Sequence, residues 1–417
     1  MYEGCAFNQR VYRTSSKSWK NLEPDVKRHK YQVGVMGKPW FHRALFDAEI
    51  DRQFNELGIS KDEYSILEEA ELDQRDSGAP FVAIFFGYEA PNSNDHPRLN
   101  GIVEDSLPII PCVVALDGYQ GQVPVELGGF NGLALGQGPS LEMQRLVGCI
   151  FENLALLRTD RRIFISYKRV DSREVALQLY DALQARGFDT FLDTHSIQPA
   201  VDMQNHLWHR LADSDVVILL DSPGFSTSEW TLLEKARANA TSVQILHLLW
   251  PEVNEDPYSA LSEFVSLQGS DFSSAETVGP NARFQDTAVQ KVCLSVESLR
   301  AHALALRHAY LVDQFCDFCR DMGEVAILQP GRFITTENGG DKKFFVPAVG
   351  VPNAYRINQI EEAIGQSHKL DAEVTVLYDN RGLLSSWMSH IAWLNSHLKT
   401  KTLAASDFRG HFEGMGQ

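Results

Sequence analysis

The chain has 417 residues, of which 44% are hydrophobic and 22% are charged. This length is enough for about two to four domains, and the composition excludes a collagen-like, mucin-like or wholly disordered chain. The 38 Lys and Arg residues against 55 Asp and Glu residues give a formal net charge of −17. Because this charge repels phosphate backbones, we expect no general nucleic-acid binding.

The sequence shows no sign of a membrane segment or a disulfide scaffold. It contains no run of about 18 apolar residues, and its first residues lack the apolar core of a signal peptide, so we expect a cytoplasmic protein without membrane contact. Six scattered cysteines are typical of a reducing compartment. Cys316 and Cys319 lack a second pair that would complete a metal site, and we interpret them as buried thiols on a helix. No metal is predicted.

The first block of the chain, residues 1–158, alternates between helical and strand-like patterns. We predict helices within 39–58, near 99–106 and over 140–157, and strands over 81–87 and 109–116. A polar stretch over 59–80 separates the two halves of this block. The alternation predicts an α/β domain with a parallel sheet.

The second block, residues 159–282, repeats the alternation more clearly. The run IFISY (163–167) predicts a buried strand, and the next segment places Val175, Leu179 and Leu183 on one helix stripe before the C-cap Gly187. A strand ending at Asp193, a loop into a helix, the strand VVILLD and the helix SEWTLLEKARANA follow. This order predicts a parallel sheet whose ligands bind beyond the carboxyl ends of the strands.

The third block, residues 283–417, is predicted as a helical connector followed by an α/β domain. The polar stretch 268–283 indicates a loop or linker, and a helical pattern then runs from Phe284 to Asp321. Strands over 325–329, 344–351, 373–379 and 402–406 enclose helices near 357–365 and 383–398. One segment here could hold a small anion or form an ordinary hairpin, and both interpretations stay open for its polar residues Thr335, Thr336, Lys342, Lys343 and Arg356.

Five segments of the second block resemble the successive boxes of the Toll/interleukin-1 receptor (TIR) domain family. They are FISYKR, GFDTFLD, the loop SIQPAVDMQNHLWHRLADSD, VVILLDSP and SEWTLLEKARA, and together they cover about residues 160–280. The resemblance implies a flavodoxin-like parallel sheet for residues 159–282, flanked by two further α/β domains. The first block has a similar alternation of strand and helix patterns and could be a degenerate TIR-like domain. It lacks a Glu at the spacing from an aromatic residue that the catalytic members of the family have.

Members of this family are either scaffolds that only assemble or enzymes that cleave NAD⁺ at the nicotinamide–ribose bond. The enzymes resemble this chain in having a Glu four residues after an aromatic residue, here Glu234 after Trp230. A spacing of four places both side chains on one helix face. The resemblance therefore implies that Glu234 is catalytic, and Trp230 could stack on the dinucleotide or fill the core.

The same resemblance implies a cleft for NAD⁺ at the carboxyl ends of the strands. We expect the residues that contact the dinucleotide there to be Ser166, Tyr167, Lys168, Arg169 and Asp193, although Asp193 could be only a strand-end cap. His206 and His209 have a spacing that could ligate a metal, but we expect a partly exposed helix face.

The loop after the second strand of this block departs from the family pattern. Pro199 and Ala200 stand where a Gly is usual, and Met203 stands where a Phe is usual. Because Ala adopts a positive φ only at a cost, the geometry of this loop and its contacts with a neighbouring TIR domain are in doubt.

The resemblance implies a TIR-domain NAD⁺ nucleosidase or ADP-ribosyl cyclase of a prokaryotic antiviral system, with NAD⁺ as substrate and activation by self-association through TIR domains. The flanking blocks are expected to sense a small nucleotide signal or an activator protein. A non-catalytic signalling scaffold is the main alternative, and a virulence factor that binds host TIR adaptors is another. Whether the product is linear or cyclic ADP-ribose stays open.

Overall fold

The structure is a computed structural model, which describes the residues 31–39, 42–76, 79–136, 142–192, 209–225, 243–255, 262–329, 332–338, 341–368 and 373–409. Within these ranges, fifteen strands form three five-stranded sheets, which we call the first, middle and third sheets. Helices pack on all three sheets, which confirms the α/β fold class. Among the described helices none is both long and apolar enough to cross a bilayer.

The first sheet is entirely parallel, with the strand order β2-β1-β3-β4-β5. Its strands are β1 (Tyr31–Gly37), β2 (Tyr64–Glu68), β3 (Phe81–Phe86), β4 (Ile109–Val113) and β5 (Leu133–Ala134). The helices α1 (His42–Glu56) and α3 (Glu142–Asn153) cover one face, and α2 (Leu99–Glu104) covers the other. All six residues of β3 are buried, as expected for a central parallel strand with both faces covered.

The prediction missed the first two strands of this sheet. The central strand β1 has glycines at positions 34 and 37, which interrupt its apolar run. The edge strand β2 lies inside the polar stretch 59–80, and only Tyr64 in it is buried. Treating that stretch merely as a divider was therefore wrong, because an edge strand needs little apolar surface.

The middle sheet is also entirely parallel and has the order β10-β9-β8-β6-β7. Its strands are β6 (Arg162–Tyr167), β7 (Asp189–Leu192), β8 (Val216–Asp221), β9 (Gln244–Leu249) and β10 (Glu263–Ser266). Counted from β6, this is the flavodoxin-like order 2-1-3-4-5 that the TIR resemblance implies. Helix α4 (Arg169–Gln184) follows β6 and packs its Val175, Leu179 and Leu183 stripe into the core.

The segment 268–283 is not a linker between separate bodies. Phe272, Ala282 and Phe284 are buried in the core of the middle sheet, where Phe272 and Phe284 contact each other and Trp250. The Gly, Ser, Asn and Pro residues make the segment irregular, but its aromatic side chains pack it onto the sheet.

The third sheet differs from the other two in being mixed. In the order β11-β12-β13-β14-β15, the first three strands are antiparallel and the last three are parallel. Its strands are β11 (Ala326–Leu328), β12 (Ile334–Asn338), β13 (Asp341–Pro347), β14 (Glu373–Tyr378) and β15 (Lys401–Ala404). Helices α6 (Ala354–His368) and α7 (Ser385–His397) contribute to one face. The pairing of β12 with β13 is the hairpin that was one of the two interpretations of this segment, and it makes the sheet mixed rather than parallel throughout.

A single long helix connects the three cores. Helix α5 (Asp286–Asp321) has 36 residues and confirms the predicted helical pattern. Its segment 288–299 packs on the middle sheet, Ala301 and Leu304 pack on the first sheet, and its segment 311–319 packs on the third sheet. On it Cys319 is buried and Cys316 is half-buried. Whether the three sheets are separate domains with boundaries at 158 and 282 stays a prediction.

Candidate functional site

The carboxyl edge of the middle sheet is the place where sequence reasoning puts the site. The order of the strands reverses between β6 and β8, so the segments that follow these two neighbouring strands diverge at this edge. In open α/β sheets, ligands bind in the crevice that this divergence leaves. The residues after β6 are Lys168 and Arg169, and the residues after β8 begin with Ser222.

Ser166 and Tyr167 end strand β6 and are both buried. Their exposed fractions are 2% and 6%, and Tyr167 belongs to the hydrophobic core together with Ile165 and Val175. Packing therefore holds both side chains in place, and only their few exposed atoms at the carboxyl edge could contact a ligand.

Lys168, Asp171 and the turn after β8 form a compact polar group. The Lys168 ammonium lies 3.8 Å from the Asp171 carboxylate. The Ser222 hydroxyl and the Gly224 N–H donate to the same carboxylate oxygen, at 3.0 and 3.2 Å. A Cβ at Gly224 would lie 2.2 Å from Lys168 Nζ, so only a glycine allows this approach. Asp171 thus connects the ends of β6 and β8.

The first turn of α4 is set apart from the rest of the helix. Ser172 has the non-helical angles φ −136° and ψ 21°, and its hydroxyl donates to the Lys168 carbonyl at 3.3 Å. Arg169 in this turn is exposed and has no ion-pair partner among the residues that the structure describes. The turn therefore presents a cation to solvent at the carboxyl edge.

Sequence reasoning missed Asp171. The signal that could have found it is an acidic residue in the first turn of the helix that follows a central strand, where the helix dipole favours a carboxylate.

Sequence reasoning also missed a buried pair between β8 and β9. Asp221, the last residue of β8, lies with its Oδ2 2.6 Å from His247 Nδ1, and both side chains are at least nine-tenths buried. The His247 ring stacks on Phe264 with centroids 4.9 Å apart, and its Nε2 has no hydrogen-bond partner among the described residues. The pair stabilises the sheet just below the edge. No sequence motif marks it.

The remaining predicted site residues lie outside the part of the chain that the structure describes. Glu234 and Trp230 lie within 226–242, and Asp193 lies within 193–208 together with the Pro199–Ala200 loop, Met203 and His206, so all are outside the described residues.

His209 is described, and the structure corrects its predicted exposure. It is 6% exposed, and its ring stacks on Trp387 of α7 at 5.4 Å between centroids. Its helix face is therefore buried between the middle and third sheets rather than partly exposed. Among the described residues, no group of three or more His, Cys, Asp or Glu side chains could hold a metal.

The comparisons with known proteins concern mainly the middle sheet. A family model described as TIR domain matches residues 163–283. A probable 2′ cyclic ADP-D-ribose synthase, BdTIR of Brachypodium distachyon, is 33% identical over 75 residues, or 18% of this chain and 34% of the relative. The match thus spans about one third of the relative's length.

Two solved structures have lower similarity. The TIR domains of the activated Roq1 resistosome give a TM-score of 0.22 at 16% identity, covering 36% of this chain and 83% of that chain. A conserved domain protein of Vibrio cholerae gives 0.18 at 11% identity, covering 80% and 95%. Both scores are too low to support an assignment. The family-model match and the strand order of the middle sheet support one: the chain contains a TIR domain, which spans residues 163–283.

Proposed function

We propose that the TIR domain cleaves NAD⁺ at the nicotinamide–ribose bond, with Glu234 as the catalytic carboxylate. The observation that carries this proposal is that residues 163–283, which match the TIR family model, contain the motif SEWTLLE with Glu234 four residues after Trp230. The similarity to a relative named as a cyclic ADP-ribose synthase supports the same substrate.

The reaction requires few groups. When the bond between ribose C1′ and the nicotinamide nitrogen breaks, its electron pair leaves with the ring, which becomes neutral. The leaving group therefore needs no proton, unlike that of an ordinary glycoside. A carboxylate hydrogen-bonded to the ribose hydroxyls stabilises the positive charge that develops on the sugar. Water then attacks C1′ and loses a proton, or a nucleophile of the same ADP-ribose unit does so and closes a ring.

The carboxyl edge of the middle sheet supplies groups suited to the rest of the dinucleotide. Lys168 and Arg169 provide cations for the diphosphate, and Asp171 and Gly224 hold Lys168 in place. In this proposal Ser166 and Tyr167 form the floor of the cleft, Asp193 contacts the ribose, and Trp230 stacks on a ring of the dinucleotide. These cations offset the net charge of −17, which otherwise repels the substrate.

We further propose that the activity depends on self-association of TIR domains in the cytoplasm and serves antiviral defence. An unrestrained NAD⁺-cleaving enzyme would drain the cofactor of its own cell, so the first and third sheets are candidates for parts that restrain it. Specific activity should then rise with protein concentration or with a bound activator.

The proposal is tested by Glu234→Gln with Glu229→Gln as the matched control, since both glutamates lie in the same segment. The purified proteins are incubated with NAD⁺ at several protein concentrations, and free nicotinamide is measured by chromatography. Glu234→Gln should lose about 100-fold or more of the activity, and Glu229→Gln should keep it.

Equal activity of Glu234→Gln and the unaltered chain would contradict the catalytic role. An unaltered chain that releases no nicotinamide, even when concentrated by a crowding agent, would instead support the non-catalytic scaffold.

A further inference from the structure

A groove lies between the third sheet and the start of the middle sheet, on the side away from the predicted NAD⁺ cleft. Its enclosed part has a volume of about 30 Å³, and the rest of the groove is open to solvent. Its walls are the segment 158–160, the loop 348–353 that follows β13, and the first turns of α6. The groove is therefore at the carboxyl edge of the parallel part of the third sheet, where α/β folds bind ligands.

Two arginines line this groove, and they differ in their partners. The Arg158 side chain is 9% exposed and is paired with Asp213 and Asp215. Arg356, three residues into α6, is half-buried, and its guanidinium has no hydrogen bond or ion pair among the described residues. Burial has the largest effect on the pKa of Arg356 and lowers it, the Asp160 carboxylate raises it, and the positive charge of Arg158 lowers it by less. Arg356 is thus a half-buried cation that attracts Asp160 at a distance but makes no direct ion pair among the described residues.

The start of α6 adds further donors to the same groove. Asn353 caps the helix by accepting from the Arg356 N–H at 2.9 Å. The other N–H groups of a first helical turn have no partners within the helix, and the helix dipole favours negative charge there. Tyr355, next to Arg356, is 70% exposed and offers an aromatic face at the groove mouth.

The one carboxylate that lines the groove is already engaged. Asp160 pairs with Arg162 at 3.3 Å and is half exposed, so water and Arg162 screen its charge. The loop backbone is held directly against Arg158, since Gly350 has φ +92° and a Cβ there would lie 2.0 Å from Arg158 Nη1. The groove is thus rigid on one wall and cationic on the other.

We propose that this groove binds a small phosphate-bearing anion through Arg356 and the first turn of α6. A planar guanidinium with free donors matches the geometry of a phosphate, and the helix start supplies the second set of donors. Tyr355 would stack on a ring if the phosphate is part of a nucleotide. Arg158 also pairs with Asp213 and Asp215, which precede β8 of the TIR domain. Only the Arg158 side chain would therefore separate a bound anion from the amino-terminal edge of the middle sheet.

The test is calorimetric titration of the full chain with inorganic pyrophosphate and with ADP at physiological salt. Arg356→Gln should weaken binding about tenfold or more, and Arg356→Lys should weaken it less, since it keeps the charge but loses the bidentate geometry. Arg320→Gln, an exposed position on α5, is the matched control and should bind as the unaltered chain does. Thermal unfolding verifies that all variants are folded.

Two results separate the sources of the phosphate. Tighter binding of ADP than of pyrophosphate would indicate a nucleotide, and equal binding would indicate the phosphate alone; both support the proposal. Unchanged binding in Arg356→Gln, or no binding of either probe at millimolar concentration, would overturn it.

Discussion

The first and middle sheets have the same strand order, but the side chains at their carboxyl edges make different contacts. Lys38 follows β1 as Lys168 follows β6. In the first sheet, Lys38 Nζ lies 4.0 Å from the centre of the Tyr88 ring, and the Tyr88 hydroxyl contacts His96 Nε2 at 2.9 Å. His96 in turn pairs with Glu69 at 2.8 Å. The polar groups at this edge thus satisfy one another.

Backbone atoms also cover the carboxyl edge of the first sheet. A Cβ at Gly87, directly after β3, would lie 2.6 Å from the Gln122 carbonyl, so a neighbouring loop covers the strand end. In the middle sheet, Gly224 lies three residues after the equivalent strand β8, and its close neighbours are the side chains of Lys168 and Asp171 rather than backbone. Strand order therefore determines where a site could be, whereas the residues after the strands decide whether a ligand can bind.

The largest predicted effect concerns the contact that holds these two sheets together. Arg300 on α5 is 1% exposed and bonds Asp215 before β8 and Glu152 of α3, both at 2.7 Å. Arg300→Ala leaves two carboxylates without this partner in a buried place and should lower the free energy of unfolding by about 3–5 kcal/mol. Chemical denaturation measures this, with the exposed Arg320→Ala expected within about 0.5 kcal/mol. Equal stability of the two variants would contradict the account.

Two glycine variants test whether the carboxyl edges of the first and middle sheets differ in function. Gly87→Ala places a Cβ against backbone and should lower the free energy of unfolding by about 1–3 kcal/mol, with nicotinamide release unchanged. Gly224→Ala displaces side-chain atoms of Lys168 and Asp171 rather than backbone, so it should cost less stability than Gly87→Ala but lower nicotinamide release about tenfold. Thermal unfolding measures the stability of both variants, and chromatography measures their nicotinamide release. A larger loss of stability in Gly224→Ala, together with a larger loss of nicotinamide release in Gly87→Ala, would contradict this difference between the edges.

The smallest predicted effect is on the pH dependence of stability. Burial alone would raise the pKa of Asp215, but Arg158 and Arg300 hold it below its ordinary value. A carboxylate whose pKa is lower in the folded state contributes stability above its unfolded pKa of about 3.9 and loses it as the pH falls further. The unfolding temperature should therefore decrease as the pH is lowered below about 4. An unfolding temperature that stays constant from pH 5 to pH 3 would contradict this role.

Elements with strong periodicity were predictable from the sequence alone. Helices α3, α4 and α5 have apolar stripes, and β6 and β8 are short apolar runs bounded by polar residues, so local patterning identifies them. The positions of Lys168 and Arg169 were also predictable, because both residues directly follow the predicted central strand β6.

Other features depend on partners distant in sequence and could not be predicted. Asp213 and Asp215 lie in LADSD, a composition typical of an exposed turn, but both are buried by Arg158, Arg300 and the loop after β13. Long-range ion pairs and edge strands leave no periodic signal in the sequence.

A structure of the full chain with a non-cleavable NAD⁺ analogue would test the proposed active site directly. We predict the Glu234 carboxylate at about 2.6–3.2 Å from a hydroxyl of the nicotinamide ribose, with the diphosphate beside Lys168 and Arg169 at the carboxyl edge of the middle sheet. A Glu234 side chain in bulk solvent, or an analogue bound at the edge of the first sheet, would contradict the central claim.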